Sequence, residues 1–504
     1  MPRSSSRRSL GRRLLRLAQL VALGALAWVV WERVTFERAH WHADYRQLRA
    51  HLEGAYANLL WARDAGGVDL VALDARTRRA LDEASTDRQA RAAIAEFLAA
   101  FHDGHLRIDR VKLSKRLERW WAELGSEPAA PVELGPDTPA AEACAALGFG
   151  ERDGSFGPAL REAPGLSALP PADNGFAAAT LDRPGKRWGL LRIHSFDAHA
   201  MGSACQRAWE PFREGLEGPC DEECRDRFVY TAVPNRILAE LTERITALQQ
   251  AGIDALLVDL MHNGGGNDWV DPAARLLTAR PLVCPRLAFI RHPHWSERLR
   301  AQGAEVDEDL RQPQPEADLA RLRQARARLD RLAAQAEARC ELSSVWTDPS
   351  SPGCSNLVED EYYACGLFGY LEPGSLPQAR TRGLMFEALR YDYTAGIYQG
   401  PLVVLVDGHT ASAAEYFAAM LQDDEAAVVV GERTHGSGCG YTSGGVPVVL
   451  EHSELRIVLP DCQRRRRDGS NELAGIAPDR AVGWQPDDDP STRAQRLLDV
   501  LDAL

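Results

Sequence analysis

The 504-residue sequence predicts an α/β protein, and three observations carry that prediction. Two apolar runs, 253–260 and 402–406, have the length and branched side chains of buried strands. Ile237, Leu241, Ile245 and Leu248 repeat at helical spacing between a strand-like run at 189–196 and the strand at 253–260. Gly264, Gly265 and Gly266 stand at the end of that second strand. Strand, helix, strand with glycine at the strand end is an α/β crossover.

The chain opens on a basic stretch, Arg3, Arg7, Arg8, Arg12, Arg13 and Arg16, followed by an apolar run over 17–31. Arginines ahead of an apolar run keep the N-terminus in the cytoplasm and send the rest across the membrane. Residues 1–37 are therefore expected to be a cytoplasmic tail and a single-pass inner-membrane anchor, with the remaining chain on the periplasmic or extracytoplasmic side. Ala25-Leu26-Ala27 offers the alternative of a signal-peptidase site, although the apolar run continues through Trp31.

Residues 38–115 read as a helical domain. Tyr45, Leu48, Leu52, Tyr56 and Leu59 recur at spacings of three and four, and Ser85-Thr86-Asp87 signals the start of a further helix. The domain ends in Phe101-His102-Asp103-Gly104-His105-Leu106, where Asp-Gly marks a turn and places His105 at a bend. Residues 116–185 are rich in Pro and Gly and read as loop and short elements, without a clear PDZ pattern. The core is expected over 186–284 and 400–486. Residues 285–399 interrupt it, and the mixed charge of 319–340 reads as a solvated helical hairpin. A C-terminal helix closes the chain over 487–504.

A formal net charge of −13 argues against a nucleic-acid partner, which calls for a basic face. Ten cysteines, an even number, fit an oxidising compartment, and the absence of a CxxC pair argues against a zinc ribbon. Cys439 and Cys462 flank a hairpin-like pattern over 441–450 and 455–460 and are expected to pair.

The stretch with the most chemistry runs over 401–438. A strand ends in Asp407-Gly408-His409-Thr410-Ala411-Ser412, and a helix follows with Phe417, Met420 and Leu421 on one face. Ser412 sits where the turn meets the helix start, beside free N–H groups and the positive end of the helix dipole. A serine so placed is either a helix cap or a nucleophile whose oxyanion the Ala413 amide helps to hold.

The stretch resembles the nucleophile segment of the C-terminal-processing (tail-specific) and tricorn-core serine peptidases, which carry a pattern near S-A-S-A-S-E, then Q-D, then G-E-x-T-x-G-K-G. Here the pattern reads Thr410-Ala411-Ser412-Ala413-Ala414-Glu415, then Gln422-Asp423, then Gly431-Glu432-Arg433-Thr434-His435-Gly436-Ser437-Gly438. The resemblance implies a ClpP/crotonase-like core and makes Ser412 the nucleophile. Many members use a lysine where Ser437 stands. The only lysines are Lys112, Lys115 and Lys186, outside every family motif, so the base must be another group.

Histidine is the natural alternative near neutral pH. Asp103-Gly104-His105 resembles the D-G-H segment of the His-using relatives, which makes His105 the expected base, with His102 its nearest competitor. Glu472-Leu473-Ala474-Gly475-Ile476-Ala477-Pro478-Asp479 resembles the family's E-x-x-G-I-x-P-D segment and makes Glu472 the group expected to orient His105; the bland alternative is an exposed loop glutamate. Asp259-Leu260-Met261-His262-Asn263-Gly264-Gly265-Gly266 resembles D-L-R-x-N-x-G-G, with Met261 for the arginine, and offers Gly265 N–H, or Gly264 beside it, as the second oxyanion donor.

The expectation is a membrane-anchored, exported serine endopeptidase acting on protein or peptide substrates, without metal or cofactor. Its activity should fall on acidification through a histidine-like pKa of roughly 6 to 7. An inactive binding scaffold, motivated by Ser437 and Met261, and an ester or acyl hydrolase are the rival readings. Oligomeric state is not legible in the sequence.

Overall fold

The computed structural model describes residues 33–109, 133–170, 175–266, 269–348, 350, 354–359, 361–440 and 448–504. The expected anchor at 17–31 lies outside them. No helix among the described residues is long and apolar enough to cross a membrane.

Among the described residues the N-terminal bundle contains helices Arg38–Ala55, Leu59–Asp64, Leu70–Glu83 and Asp87–Ala99. The first ends at Tyr56, which divides the single periodic run over 45–59 between two helices. Thr86 caps the last, its hydroxyl accepting the Gln89 N–H at 3.3 Å. Strand β1 (Arg107–Ile108) follows directly after His105.

Next come β2 (Leu166–Ala168), β3 (Ala178–Arg183) and β4 (Lys186–Arg192), then the crossover helix Val233–Gln250 and β5 (Ala255–Asp259). The interrupting segment holds β6 (Arg286–Ile290), helices Pro293–Leu310 and Glu316–Glu337, and β7 (Leu357–Val358). The core then resumes with β8 (Leu402–Val406), helix Ala413–Asp423 and β9 (Val428–Gly431). Strands β10 (Val448–Val449), β11 (Arg456–Val458), β12 (Cys462–Arg465) and β13 (Arg480–Ala481) precede the closing helix Pro490–Asp502.

The main sheet has the order β13-β9-β8-β5-β4-β3-β2. From β4 to β13 its neighbours pair in parallel, while β2 and β3 add an antiparallel edge. Those two strands lie in the segment read as loop, so the core begins before residue 186. Strand β2 has only three residues, and β3, Ala178-Ala179-Thr180-Leu181-Asp182-Arg183, does not alternate apolar with polar, so neither shows the pattern that betrays a strand. Alternation along β8 sorts the two faces. Leu402, Val404 and Val406 join the larger core under helices Val233–Gln250 and Ala413–Asp423, and Val403 and Leu405 join a smaller core closed by the C-terminal helix.

The interrupting segment is more than a solvated hairpin. Its two helices do pair, but Leu322, Ala325, Leu329 and Leu332 are buried in a third core shared with Tyr45, Phe97 and Phe101 of the N-terminal bundle. The many arginines on the other face of Glu316–Glu337 obscured this apolar stripe. Strand β6 also pairs with β12, setting Arg464 opposite Leu287. Five disulfides close the described chain: Cys144–Cys205, Cys220–Cys224, Cys284–Cys365, Cys340–Cys354 and the expected Cys439–Cys462.

Candidate active site

Strand β8 ends at Val406, and a six-residue turn delivers Ser412 to the first turn of helix Ala413–Asp423. Ser412 has φ +57° and ψ −116°, a conformation that costs a non-glycine residue roughly 1–3 kcal/mol and persists only where its surroundings impose it. Two features impose it. Glu415, fully buried, accepts the Ser412 N–H at 2.8 Å. Gly265, at φ +94°, presses on the other side: a Cβ there would lie 2.8 Å from Ser412 Cβ and from the Ala413 nitrogen, so only glycine fits. The Ala413 N–H is the first of the helix, where no intrahelical carbonyl reaches it.

Glu415 does more than hold the elbow. Its carboxylate also accepts the Thr434 hydroxyl at 2.6 Å, the Gly436 N–H at 2.6 Å and the Ser437 N–H at 2.9 Å. It thereby ties the nucleophile turn to the loop that presents Ser437. The sequence displayed Glu415 inside the nucleophile motif, but nothing in its spacing revealed a partner about twenty residues on.

His105 arrives from the other side. Asp103, buried, accepts the His105 N–H at 3.0 Å and side-chain donors from Tyr56 (3.1 Å) and Asn58 (3.0 Å). Burial pushes the Asp103 carboxyl up to about 6. Beyond the turn, β1 pairs with β11, fixing the bend against the strand that precedes β12. His105 Nδ1 lies 2.9 Å from the Ser437 carbonyl oxygen. A carbonyl only accepts, so Nδ1 carries the proton and Nε2 is left as a free base. Burial lowers the imidazole to about 4, and the charges of Arg464 and Arg107 push the same way against the Ser437 bond. The ring is therefore neutral at any pH near neutrality, and the expected midpoint of 6 to 7 is corrected downward.

Glu472 is fully buried, not an exposed loop residue. Its partner is not His105. Oε2 accepts Arg464 Nε at 2.6 Å, and Oε1 has no partner among the described residues. Burial raises its pKa against the opposing pull of Arg464. Arg464 is the residue that sequence reasoning missed, hidden in the run Arg464–Arg467. Its Nη2 donates to the Ser412 carbonyl at 2.9 Å and to the Gly438 carbonyl at 2.8 Å, and its guanidinium lies 5.5 Å from the Tyr416 ring centroid. The only available signal was four arginines in a segment that also held a family motif.

Thus Ser412, His105 and Glu472 meet around one cluster, with Ser437, Gly438 and Arg464 as the links, although no hydrogen bond joins His105 to Ser412 or to Glu472. The Gly265 N–H is also not a free donor. It bonds to Asn263 Oδ1 at 2.9 Å, because Asn263 is fully buried and closes a tight turn with its own side chain. Gly264, its neighbour, faces open space.

Comparison with known proteins finds a family resemblance. Residues 332–482 match Peptidase family S41. That match covers under a third of the chain. The S41 match contains Ser412, Glu415, Arg464 and Glu472, and its family is one of serine-type peptidases. A "Tail-specific protease" of Haemophilus influenzae is 30% identical over 118 residues, 23% of this chain and 17% of that relative, so the match spans only a small part of its length. The fold is similar to that of mature CPAF complexed with lactacystin, with a TM-score of 0.55 and 14% identity over 92% of this chain and 98% of that one. Mature CPAF alone gives a TM-score of 0.54 and 15% identity over 92% and 97% of the two chains. At such identities the structures show a shared fold and nothing finer.

Proposed function

We propose that the protein is an exported, membrane-anchored serine endopeptidase that cleaves protein or peptide substrates through Ser412 and His105. The observation that carries this reading is one hydrogen-bonded cluster that holds both a strained serine at a helix start and an imidazole whose proton is on Nδ1, leaving Nε2 free. Ser412 Oγ attacks the scissile carbonyl, forming the C–O bond of a tetrahedral adduct. His105 Nε2 takes the hydroxyl proton and returns it to the leaving amine as the C–N bond breaks. Water then repeats the sequence on the acyl-enzyme.

The Ala413 N–H is one oxyanion donor, and Gly264, with space beside it, serves as the second in place of Gly265. Glu472 acts through Arg464: the ion pair fixes a guanidinium that holds the Ser412 and Gly438 carbonyls, while the Ser437 carbonyl orients the imidazole directly. In this reading the Ser412–His105 hydrogen bond forms when substrate binds, as catalytic hydrogen bonds often tighten only in the substrate complex. The five disulfides support an oxidising compartment. The name of the Haemophilus influenzae relative makes the carboxyl-terminal tails of proteins the substrates to try first.

The test is cleavage of an unstructured protein substrate, with the new termini mapped by mass spectrometry. Products should form with the unaltered protein and vanish with Ser412→Ala. The absent His105–Ser412 bond favours one rival, an inactive binding scaffold. That rival predicts no products from either form.

A further inference from the structure

Two imidazoles and a carboxylate stand together at the carboxyl ends of β5 and β8. His262 lies in the glycine loop after β5, and Asp407 and His409 lie in the turn between β8 and Ser412. Neither imidazole belongs to the cluster around His105 and Arg464. One ligand atom from each residue falls within 4.8 Å of the other two.

Asp407 is built for one direction. Its side chain is only 8% exposed. Its Oδ1 is saturated, accepting the His262 N–H at 3.0 Å, the His409 N–H at 3.0 Å and the Thr410 hydroxyl at 3.1 Å. Its Oδ2 turns outward to the two rings, 3.3 Å from His262 Nε2 and 3.9 Å from His409 Nδ1. His262 reaches this position in a left-handed backbone conformation, φ +57°, which the Asp407 bond to its N–H helps to hold. Both rings are open to solvent, 63% and 74% exposed, and their centroids are 4.6 Å apart.

This is the donor set and spacing of a transition-metal site. Zinc binds imidazole nitrogen and carboxylate oxygen at roughly 2.0–2.2 Å, which sets such donors about 3 to 3.5 Å from one another. The three ligand atoms must draw closer to reach that separation, and the two rings that would turn are largely exposed. Two imidazoles with one carboxylate favour zinc-like ions over calcium or magnesium, which take oxygen donors. The backbone bonds to Asp407 Oδ1 are the outer partners that keep a ligating carboxylate in place.

We propose that His262, Asp407 and His409 bind a divalent transition-metal ion of the zinc type, solvent completing its coordination, and that the ion clasps the glycine loop to the nucleophile turn. The ligands come from both loops, one carrying Gly265 and the other ending in Ser412, so occupancy stabilises their close approach. The proposal concerns binding by the folded protein and does not rest on the peptidase reading.

Metal-stripped full-length protein is titrated with zinc chloride by calorimetry, and its thermal unfolding is followed with and without zinc. One equivalent should bind per protein molecule and raise the unfolding temperature. His262→Asn, whose side chain tolerates the left-handed backbone, and His409→Ala should each weaken that binding at least tenfold and shrink the zinc-dependent rise. His452→Ala, at a histidine stacked on His40 of the N-terminal bundle, should bind as the unaltered protein does. Absence of stoichiometric binding to the unaltered protein overturns the proposal. So does unchanged affinity in both His262→Asn and His409→Ala.

Discussion

The two sides of the candidate site are built differently. The nucleophile side comes from one continuous unit, β8, a turn and a helix, with Gly265 from the loop after the neighbouring parallel strand behind it. There Glu415 alone accepts four donors. The base side is assembled from the N-terminal bundle, the Ser437 loop, β12 and the Glu472 turn, and the bundle lies hundreds of residues from the rest. Its imidazole is held through a single ring hydrogen bond, and its buried carboxylate through a single arginine. A nucleophile that must sit in a strained conformation needs redundant restraint, whereas a base that must move a proton needs one fixed tautomer and a free second nitrogen.

That contrast is broken most sharply by Ser412→Ala. It should reduce peptide cleavage by about 10⁴-fold or more while leaving far-ultraviolet circular dichroism unchanged. Arg464→Met comes next. It strands buried Glu472 without a partner and should destabilise the protein by about 3–5 kcal/mol in urea unfolding. Arg464→Met combined with Glu472→Leu should cost less than Arg464→Met alone, because no buried charge is left; an additive result would mean that the two do not act as a pair. Glu415→Ala leaves four donors without their acceptor and should cost about 3 kcal/mol. The smallest expected change is a gain: Ser412→Gly relieves the positive φ and should stabilise the inactive protein by about 1 kcal/mol in the same assay.

The same contrast explains what the sequence revealed. Strand β8 appeared with its boundaries intact, since five consecutive buried apolar residues bounded by Pro401 and Asp407 admit little else. Ser412 and the helix after it were legible for the same reason: they are local. His105 and Glu472 were reached only through resemblance, and the structure links them to the Ser412 turn through the Ser437 loop and Arg464. Their bonding partners were not legible. The Ser437 carbonyl is backbone, which no residue type announces, and Arg464 depends on β12 pairing with β6 of the interrupting segment. The Gly265 amide was misassigned as free because an Asn263 side chain closing its own turn is a conformational event, not a composition. Strand β2 escaped because three residues show no period, and β3 because its sequence does not alternate apolar with polar.

The state of His105 is the point on which the mechanism turns. Its imidazole is lowered to about 4 by burial, from an ordinary value of 6.5. Between those values the unfolded state binds a proton that the folded state does not, so this group withdraws stability as pH falls from about 6.5 towards 4. Over the same range the base itself stays neutral. The most direct measurement is the rate of Ser412 labelling by a fluorophosphonate as a function of pH, over the range in which circular dichroism shows the protein folded. The account predicts a rate flat from pH 7.5 down to about 5 and lowered by about 10³-fold or more in His105→Ala. A rate that halves near pH 6 to 7, or one that His105→Ala leaves unchanged, would contradict it.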